Sequence, residues 1–529
     1  MLRRAWKPLA ATSVLIGPGY YWYTLKYRQE AFELAVKVRQ SDGKTVMTTR
    51  SIPLLPVESI EARIHERATS ESIPRPGGIV WKHSTASLAA NDPIEDASSH
   101  QIVTRDTNDP SAPGDLLFWT IMDGHGGHHT SQLLSRVLIN AVALELSNLI
   151  QNPTKPGGLI NNIRSSLFPS AAQPSAGDPE TVATTIQNAF TNLDKELLNA
   201  PVQLLANNLD ESALKSKAIP DLSQHPMALA TMLPAVSGSC ALMAMFDTAH
   251  RDLYVACTGD SRAVAGVWEE SPDGKGTWRV EVLSEDQTGR NLNEVRRIQS
   301  EHPADEAHSV IKAGRVLGGL EPTRAFGDAR YKWTREAQHI LNQAFLVGNN
   351  QNIRLPPSTF KTPPYVTSTP VVTHRKLSFL PLPESPASKP ASALRFIVLA
   401  TDGLWDQLSS QEVVALVGGH LAGLKGNVSK DSLPALVPTS TGAPTVEGKD
   451  KKRPKKEDGE WAFVDENVSA HLIRNAFGGG DVVSLRKLLS IPAPFARSYR
   501  DDVTVTVVWW EDGREGDAKV ETIAPKAKL

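Results

Sequence analysis

The sequence predicts an α+β fold whose sheets are mainly antiparallel. Short runs of β-branched, aromatic and aliphatic residues recur along the chain at strand length. Other stretches repeat apolar residues at three- and four-residue spacing, the mark of a helix with one buried face. The strand runs cluster like hairpins and the helices come in pairs, which argues against a regular β-α-β repeat.

In chain order, the first strand expected is 116–122, LLFWTIM. A helix follows over 131–150, carrying Leu133, Leu134, Val137, Leu138 and Val142 on one stripe, and a second over 180–198, carrying Val182, Ile186, Phe190, Leu193 and Leu197. Four strand runs then come in close succession, 239–246, 253–257, 263–268 and 278–283, and two more lie at 396–400 and 503–510. Segments 152–178, 335–394 and 425–460 are rich in Pro, Gly, Ser and Asn and read as long loops or insertions. The run KDKKRPKKED at 449–458 reads as a solvated loop, with a nucleic-acid role the minor alternative. No internal repeat is visible.

The 529 residues are 40% hydrophobic and 22% charged, which excludes a wholly disordered chain, a collagen-like repeat and a polytopic membrane protein. With 56 Lys and Arg against 58 Asp and Glu, the formal charge of −2 supplies no whole-chain field for nucleic acid. Cys240 and Cys257 read as core thiols. Neither starts the Cys-(five residues)-Arg loop of the cysteine phosphatases, because positions 246 and 263 hold Phe and Ala.

The two ends carry address-like features. Residues 1–29 hold Arg3, Arg4, Lys7, Lys26 and Arg28 and no acid, as mitochondrial presequences do. The 18 uncharged residues between Lys7 and Lys26 are long enough for a single membrane anchor, with the aromatic cluster 20–23 at one interface. Gly17, Pro18 and Gly19 interrupt that run and leave an amphipathic or buried helix as the rival reading. The leader is expected over 1–45. A polar tail, 513–529, ends in Ala527, Lys528 and Leu529, close to the peroxisomal Ser-Lys-Leu signal and equally compatible with a Lys-rich tail that happens to end in Leu.

Three strand-like runs each meet an acid at one end: Asp123, Asp402, and the pair Asp501 and Asp502. The first two acids follow their strands and the pair precedes one, so antiparallel neighbours can gather them at one rim. Gly124 and Gly403 come next in each of the first two, permitting a tight turn and an open carbonyl. Clustered carboxylates need a cation or a proton, and oxygen-only donors select magnesium or manganese. A lone strand-end Asp is usually a turn or helix cap; three together point to a site. His125, in DGHGGHH, reads either as a surface turn residue or as a proton donor beside the site. Adjacent His128 and His129 suggest zinc only weakly, having no Cys beside them.

FWTIMDGHGG (118–127), SGSCALMAM (237–245), LYVACTGDSRAVAG (253–266), RVLGGLEPTRAFGD (315–328), FIVLATDGLWDQLS (396–409) and RDDVTVTVVWW (500–510) resemble, in order, the motifs of the metal-dependent type 2C protein Ser/Thr phosphatases. PIED at 93–96 and the RDD pair most resemble the pyruvate dehydrogenase phosphatase branch and its fungal mitochondrial relatives. The resemblance runs from about 80 to 510. It implies one catalytic domain over 80–512, a central β-sandwich of two antiparallel sheets flanked by antiparallel helix pairs, monomeric and acting on phosphoproteins.

Carried over residue by residue, the resemblance assigns Asp123 to bridge two Mg2+ or Mn2+ ions, with the carbonyl of Gly124, Asp402 and Asp501 completing the binuclear site. Glu95 and Asp96 match a pair that binds metal through water, Asp260 and Asp406 surround a third metal position, and His125 is the general acid. The implied mechanism has two ions about 3.5–4 Å apart activating a bridging water for in-line attack. The family's usual phosphate-gripping Arg is replaced here by Asn91, which lacks the two-pronged charged donor. A catalytically inactive phosphatase-like scaffold is the alternative, disfavoured because the metal acids are all kept.

Overall fold

Seven strands and two helices grow where the sequence pattern asks for them, each longer than its apolar stripe by a few residues. In this computed structural model the described residues are 30–39, 45–75, 78–105, 114–151, 177–209, 218–270, 276–377, 392–440 and 459–512. The elements used below are β1 (Ala31–Arg39), β2 (Thr45–Pro53), α1 (Val57–His65), β3 (Thr69–Arg75), β4 (Ile79–Leu88), β5 (Ala97–Thr104), β6 (Asp115–His125), α2 (His129–Gln151), α3 (Pro179–Asn207), α4 (Ala228–Val236), β7 (Gly238–Asp247), β8 (Asp252–Thr258), β9 (Arg262–Glu270) and β10 (Gly276–Val282). After them come α5 (Leu292–Glu301), β11 (Val371–Lys376), β12 (Ser392–Ala400), α6 (Ser410–Leu421), β13 (Thr439–Ser440), α7 (Val468–Phe477), α8 (Val482–Ser490) and β14 (Val503–Asp512).

Two sheets dominate. One runs β13-β10-β9-β12-β14-β4-β3 and the other β11-β8-β7-β6-β5, with the two-residue strand Phe326–Gly327 also on β7. All these pairings are antiparallel except the short β10–β13 contact. The central strands β7 and β8 are buried at every position and mostly apolar, because both their faces are covered. On β6, Leu117, Trp119 and Ile121 point into the layer between the sheets, where they meet Leu242, Phe246, Val255, Val267 and Ile397. Leu116, Phe118 and Met122 point the other way, onto Leu134, Leu138, Val142, Ile186 and Phe190 of α2 and α3. The first sheet repeats the arrangement, with Phe396, Val398, Val505 and Val507 buried under Val413, Leu416, Leu472 and Ile473 of α6 and α7. Four layers result, helix on sheet on sheet on helix.

Helix starts are marked by side-chain caps. Asp178 accepts from the Thr181 N–H at 3.0 Å ahead of α3, and Ser409 with Glu412 forms a reciprocal capping box at the start of α6. The helix α2 is long and apolar enough to cross a membrane by composition, yet its apolar stripe is packed on β6 and β7.

The structure departs from the sequence reading in three places. Segment 335–394 is no continuous loop: a helix over Arg335–Leu341, capped by Thr334, continues into Asn342–Leu346, and β11 follows. Leu341, Phe345 and Leu346 bury against α3 and α4, a core stripe hidden among polar neighbours. Within 425–460, short strands at Gly426–Ser429 and Thr439–Ser440 flank a turn of helix at Leu433–Leu436. The leader expected over 1–45 overlaps the β1–β2 hairpin, whose Leu34, Val36 and Ile52 pack on Ala90, Ile491 and Ala496. The expected anchor and basic leader (1–29), most of the 152–178 insertion, the basic loop 449–458 and the tail 513–529 lie outside the described residues.

Candidate functional site

The antiparallel pairing of β12 with β14 sets Ala400 opposite Val505, so the end of one strand and the start of the other share a rim. Asp402 opens a short helix just past β12, and Asp501 lies two residues before β14. From the second sheet, Asp123 stands near the end of β6, paired with Cys240 on β7. Asp260 follows β8, where its carboxylate accepts a 3.2 Å hydrogen bond from the Cys240 thiol. Ligand oxygens of Asp123, Asp260 and Asp402 all lie within 4.8 Å of one another. The Asp402 N–H reaches Asp123 Oδ2 at 3.4 Å.

Burial and mutual repulsion raise these acids. Asp123 is held well above the usual carboxylate range, first by desolvation and then by the charges of Asp402, Asp96, Asp260 and Asp501. Asp501 is pushed up to about 7 by burial and by Asp402, against the opposing pull of Arg497. Asp96 is buried and also held well above its ordinary range by desolvation and Asp502, though Thr401 Oγ1 donates to it at 3.0 Å. Protons alone satisfy such a cluster poorly at neutral pH. An all-oxygen donor set with several raised carboxylates fits a hard divalent cation, and Asp123, Asp260 and Asp402 are the residues grouped closely enough to hold it, with Asp501 electrostatically coupled to Asp402. The carboxylate of Asp406, one helical turn past Asp402, does not belong to that three-acid group, although its N–H bonds the Asp402 carbonyl at 2.8 Å.

The two acids of RDD have different tasks. Buried Asp502 accepts from the N–H groups of Ala90 (2.5 Å), Asn91 (2.9 Å) and Glu95 (2.8 Å) and from Asn91 Nδ2 (3.0 Å). It therefore fixes the 90–95 loop. Asn91 Nδ2 also donates to Glu95 Oε2 at 3.3 Å, so the Asn that replaces the expected Arg is committed to this loop. Glu95 Oε1 accepts from the Gly127 N–H at 2.6 Å, and the Glu95 carbonyl takes the Ser131 hydroxyl. A side chain on Gly124 would run into that same carbonyl, which explains glycine there better than turn flexibility does.

His125 Nε2 meets Asp328 Oδ2 at 2.7 Å. Burial lowers the imidazole's proton affinity, the Asp328 carboxylate more than restores it, and the net shift is upward. Asp328 sits in a left-handed turn at the end of the RVLGGLEPTRAFGD motif, its N–H on the Ser237 carbonyl at 2.9 Å. The sequence motif alone assigns its last residue, Asp328, no task. Arg497 was missed as well: Nη1 lies 2.8 Å from Asp501 Oδ2, and its four-residue spacing from Asp501 was the available signal. Arg262 is committed to Asp286, Arg324 to Glu294 and Arg500 to the Ala89 carbonyl. The His128 and His129 rings lie 4.1 Å apart, tilted at 40°, and join no metal-capable group among the described residues. Both cysteines are free and buried, as expected of core thiols.

A protein-family model described as Protein phosphatase 2C matches residues 176–430. The mitochondrial [pyruvate dehydrogenase [acetyl-transferring]]-phosphatase 1 of Saccharomyces cerevisiae is 35% identical over 481 residues, 88% of this chain and 74% of that protein. A protein phosphatase 2C homolog of Schizosaccharomyces pombe is 32% identical, covering 90% of each chain. The mitochondrial pyruvate dehydrogenase phosphatase 1 of Bos taurus is 32% identical, over 80% of this chain and 76% of that one. Identity at this level across most of both chains makes the protein a member of the type 2C protein phosphatases, the Mg2+- or Mn2+-dependent enzymes that hydrolyse phosphoserine and phosphothreonine in proteins.

Proposed function

We propose that this phosphatase acts in mitochondria on the phosphorylated pyruvate dehydrogenase complex, using two metal ions at the rim and a third, weaker one nearby. The acid cluster of Asp123, Asp260 and Asp402 carries the catalytic part of this reading. The names of the yeast and bovine relatives support the substrate and compartment, and the basic, acid-free residues 1–29 support the address. A membrane anchor within that leader and a secondary peroxisomal address at Ala527, Lys528 and Leu529 belong to the same proposal.

Bound divalent cations would supply positive charge that acidifies water and neutralises phosphoryl oxygens. Asp123, Asp402 and Asp501, with the Gly124 carbonyl, would hold them, and Glu95, Asp96, Asp260 and Asp406 would complete the outer positions. His125, its Nε2–H held by Asp328, keeps a proton at Nδ1 and gives it to the departing Ser or Thr oxygen. Arg497, half exposed at the mouth of the acid cluster, grips the substrate phosphate in place of the Arg that Asn91 replaces. Its pairing with Asp501 keeps the guanidinium beside the acids until a phosphate arrives.

Asp123→Asn is expected to abolish Mg2+- or Mn2+-dependent phosphate release from the phosphorylated pyruvate dehydrogenase complex while circular dichroism stays native. Activity equal to wild type would refute the site. Asp328→Asn should remove the main charge that opposes burial at His125, so its pKa falls and the alkaline limb of the kcat/KM profile moves to lower pH; an unmoved limb would remove Asp328 from this role. Arg497→Ala should raise KM for a phosphoprotein about 10- to 100-fold, the equivalent of losing a charge-assisted hydrogen bond of ~1.5–3 kcal/mol, with kcat less affected and partial rescue by Lys. An unchanged KM would count against Arg497. Deleting residues 1–29 from a fluorescent fusion should move it out of mitochondria, and continued mitochondrial location would show that the address lies elsewhere.

A further inference from the structure

At the edge of the sandwich away from the acid rim, three strands bring together a different donor set. Glu71 on β3 stands directly opposite His83 on β4, and His100 projects from β5 of the other sheet. The two imidazole rings lie 4.3 Å apart, and one ligand atom from each of the three residues falls within 4.8 Å of the others. His83 is 1% exposed, and among the described residues neither of its ring nitrogens has a hydrogen-bond partner. A buried imidazole with both nitrogens unsatisfied is costly and rare. His100 pairs with Trp119, four residues before Asp123 on β6, so roughly 13 Å of strand separates this cluster from the acid rim.

We propose that Glu71, His83 and His100 form a second metal site of this protein, for a four-coordinate transition-metal cation such as Zn2+, with water in the fourth position. Two imidazoles and one carboxylate suit zinc and disfavour magnesium, which wants oxygen ligands in octahedral array. His100 Nε2 lies 3.3 Å from Glu71 Oε2. Metal–ligand bonds of about 2.0–2.1 Å in a tetrahedron require an edge of about 3.3 Å. The cation would tie β3 and β4 of one sheet to β5 of the other, and β5 starts at the residue after Asp96. None of this rests on the phosphatase substrate or on the acid cluster.

The test titrates the full-length protein with Co2+ in saturating Mg2+, which occupies the acid rim. Wild type should take up one Co2+ with the intense visible absorption of a four-coordinate site, and Zn2+ should displace it. His100→Ala and Glu71→Gln, both at exposed positions, should weaken Co2+ by more than ~100-fold, since changes outside the ligand shell alone cost roughly 10- to 100-fold. Their Mg2+-dependent phosphatase activity should stay at the wild-type level. His83→Phe, which keeps the packing on Trp119, should abolish the absorption. The proposal fails if no such absorption appears, if the variants keep it, or if Asp123→Asn removes it instead; the histidines would then be packing groups only.

Discussion

Ligand oxygens of Asp123, Asp260 and Asp402 within 4.8 Å of one another form an arrangement that a folded chain cannot hold cheaply. At about 5 Å and an effective dielectric near 20, each ionised pair repels by on the order of 3 kcal/mol. The rest of the molecule is organised around tolerating that repulsion. Asp123 comes from one sheet and Asp402 and Asp501 from the other, so the sandwich itself, with its apolar layer of Trp119, Phe246 and Ile397, forces the acids to meet. The upward shifts of Asp123, Asp96 and Asp501 record the same strain electrostatically, and a divalent cation removes it.

Behind the acids lies scaffolding that carries no charge to the substrate. Asp502 spends its carboxylate on four N–H donors from the 90–95 loop, and Thr401 links β12 to β14 by accepting from the Thr504 N–H at 2.9 Å. The β1–β2 hairpin packs Leu34, Val36 and Ile52 against Ala90, Ile491 and Ala496, beneath both the 90–95 loop and the segment leading to Arg497 and Asp501. Arg50 lies over the Phe495 ring at 5.0 Å and reinforces that contact. Chain well before the recognisable motifs thus helps to fix the rim.

The buried strands were legible because covering both faces leaves an unbroken apolar run, as LLFWTIM shows. The helices α2 and α3 were legible because one face is apolar. Strands β3, β4 and β5 were not, since mixed runs such as IVWKHSTASL bury alternate residues at a sheet margin and leave polar ones between. Asp123 and Asp402 could be read from their strand-end positions. Asp328 could not, because its contact with His125 spans 203 residues and depends on a left-handed turn that periodicity does not reveal. The orphaned nitrogens of His83 likewise follow only from the meeting of two sheets.

The exchange of Arg for Asn at position 91 makes physical sense once Asp502 is considered. An Asn amide is short enough to bridge Asp502 and Glu95 within the loop, at 3.0 and 3.3 Å. A guanidinium there would be drawn toward the same two carboxylates. Moving the cation to position 497 separates the tasks: the neutral amide orders the loop, and the charge stands at the mouth beside Asp501. On the proposed role of Arg497, phosphate recognition would pass from the start of the catalytic domain to its end, onto the segment that the amino-terminal hairpin supports. Substrate grip and hairpin packing would then be coupled, so that a change at Leu34 or Ile52 would reach the phosphate without touching an acid.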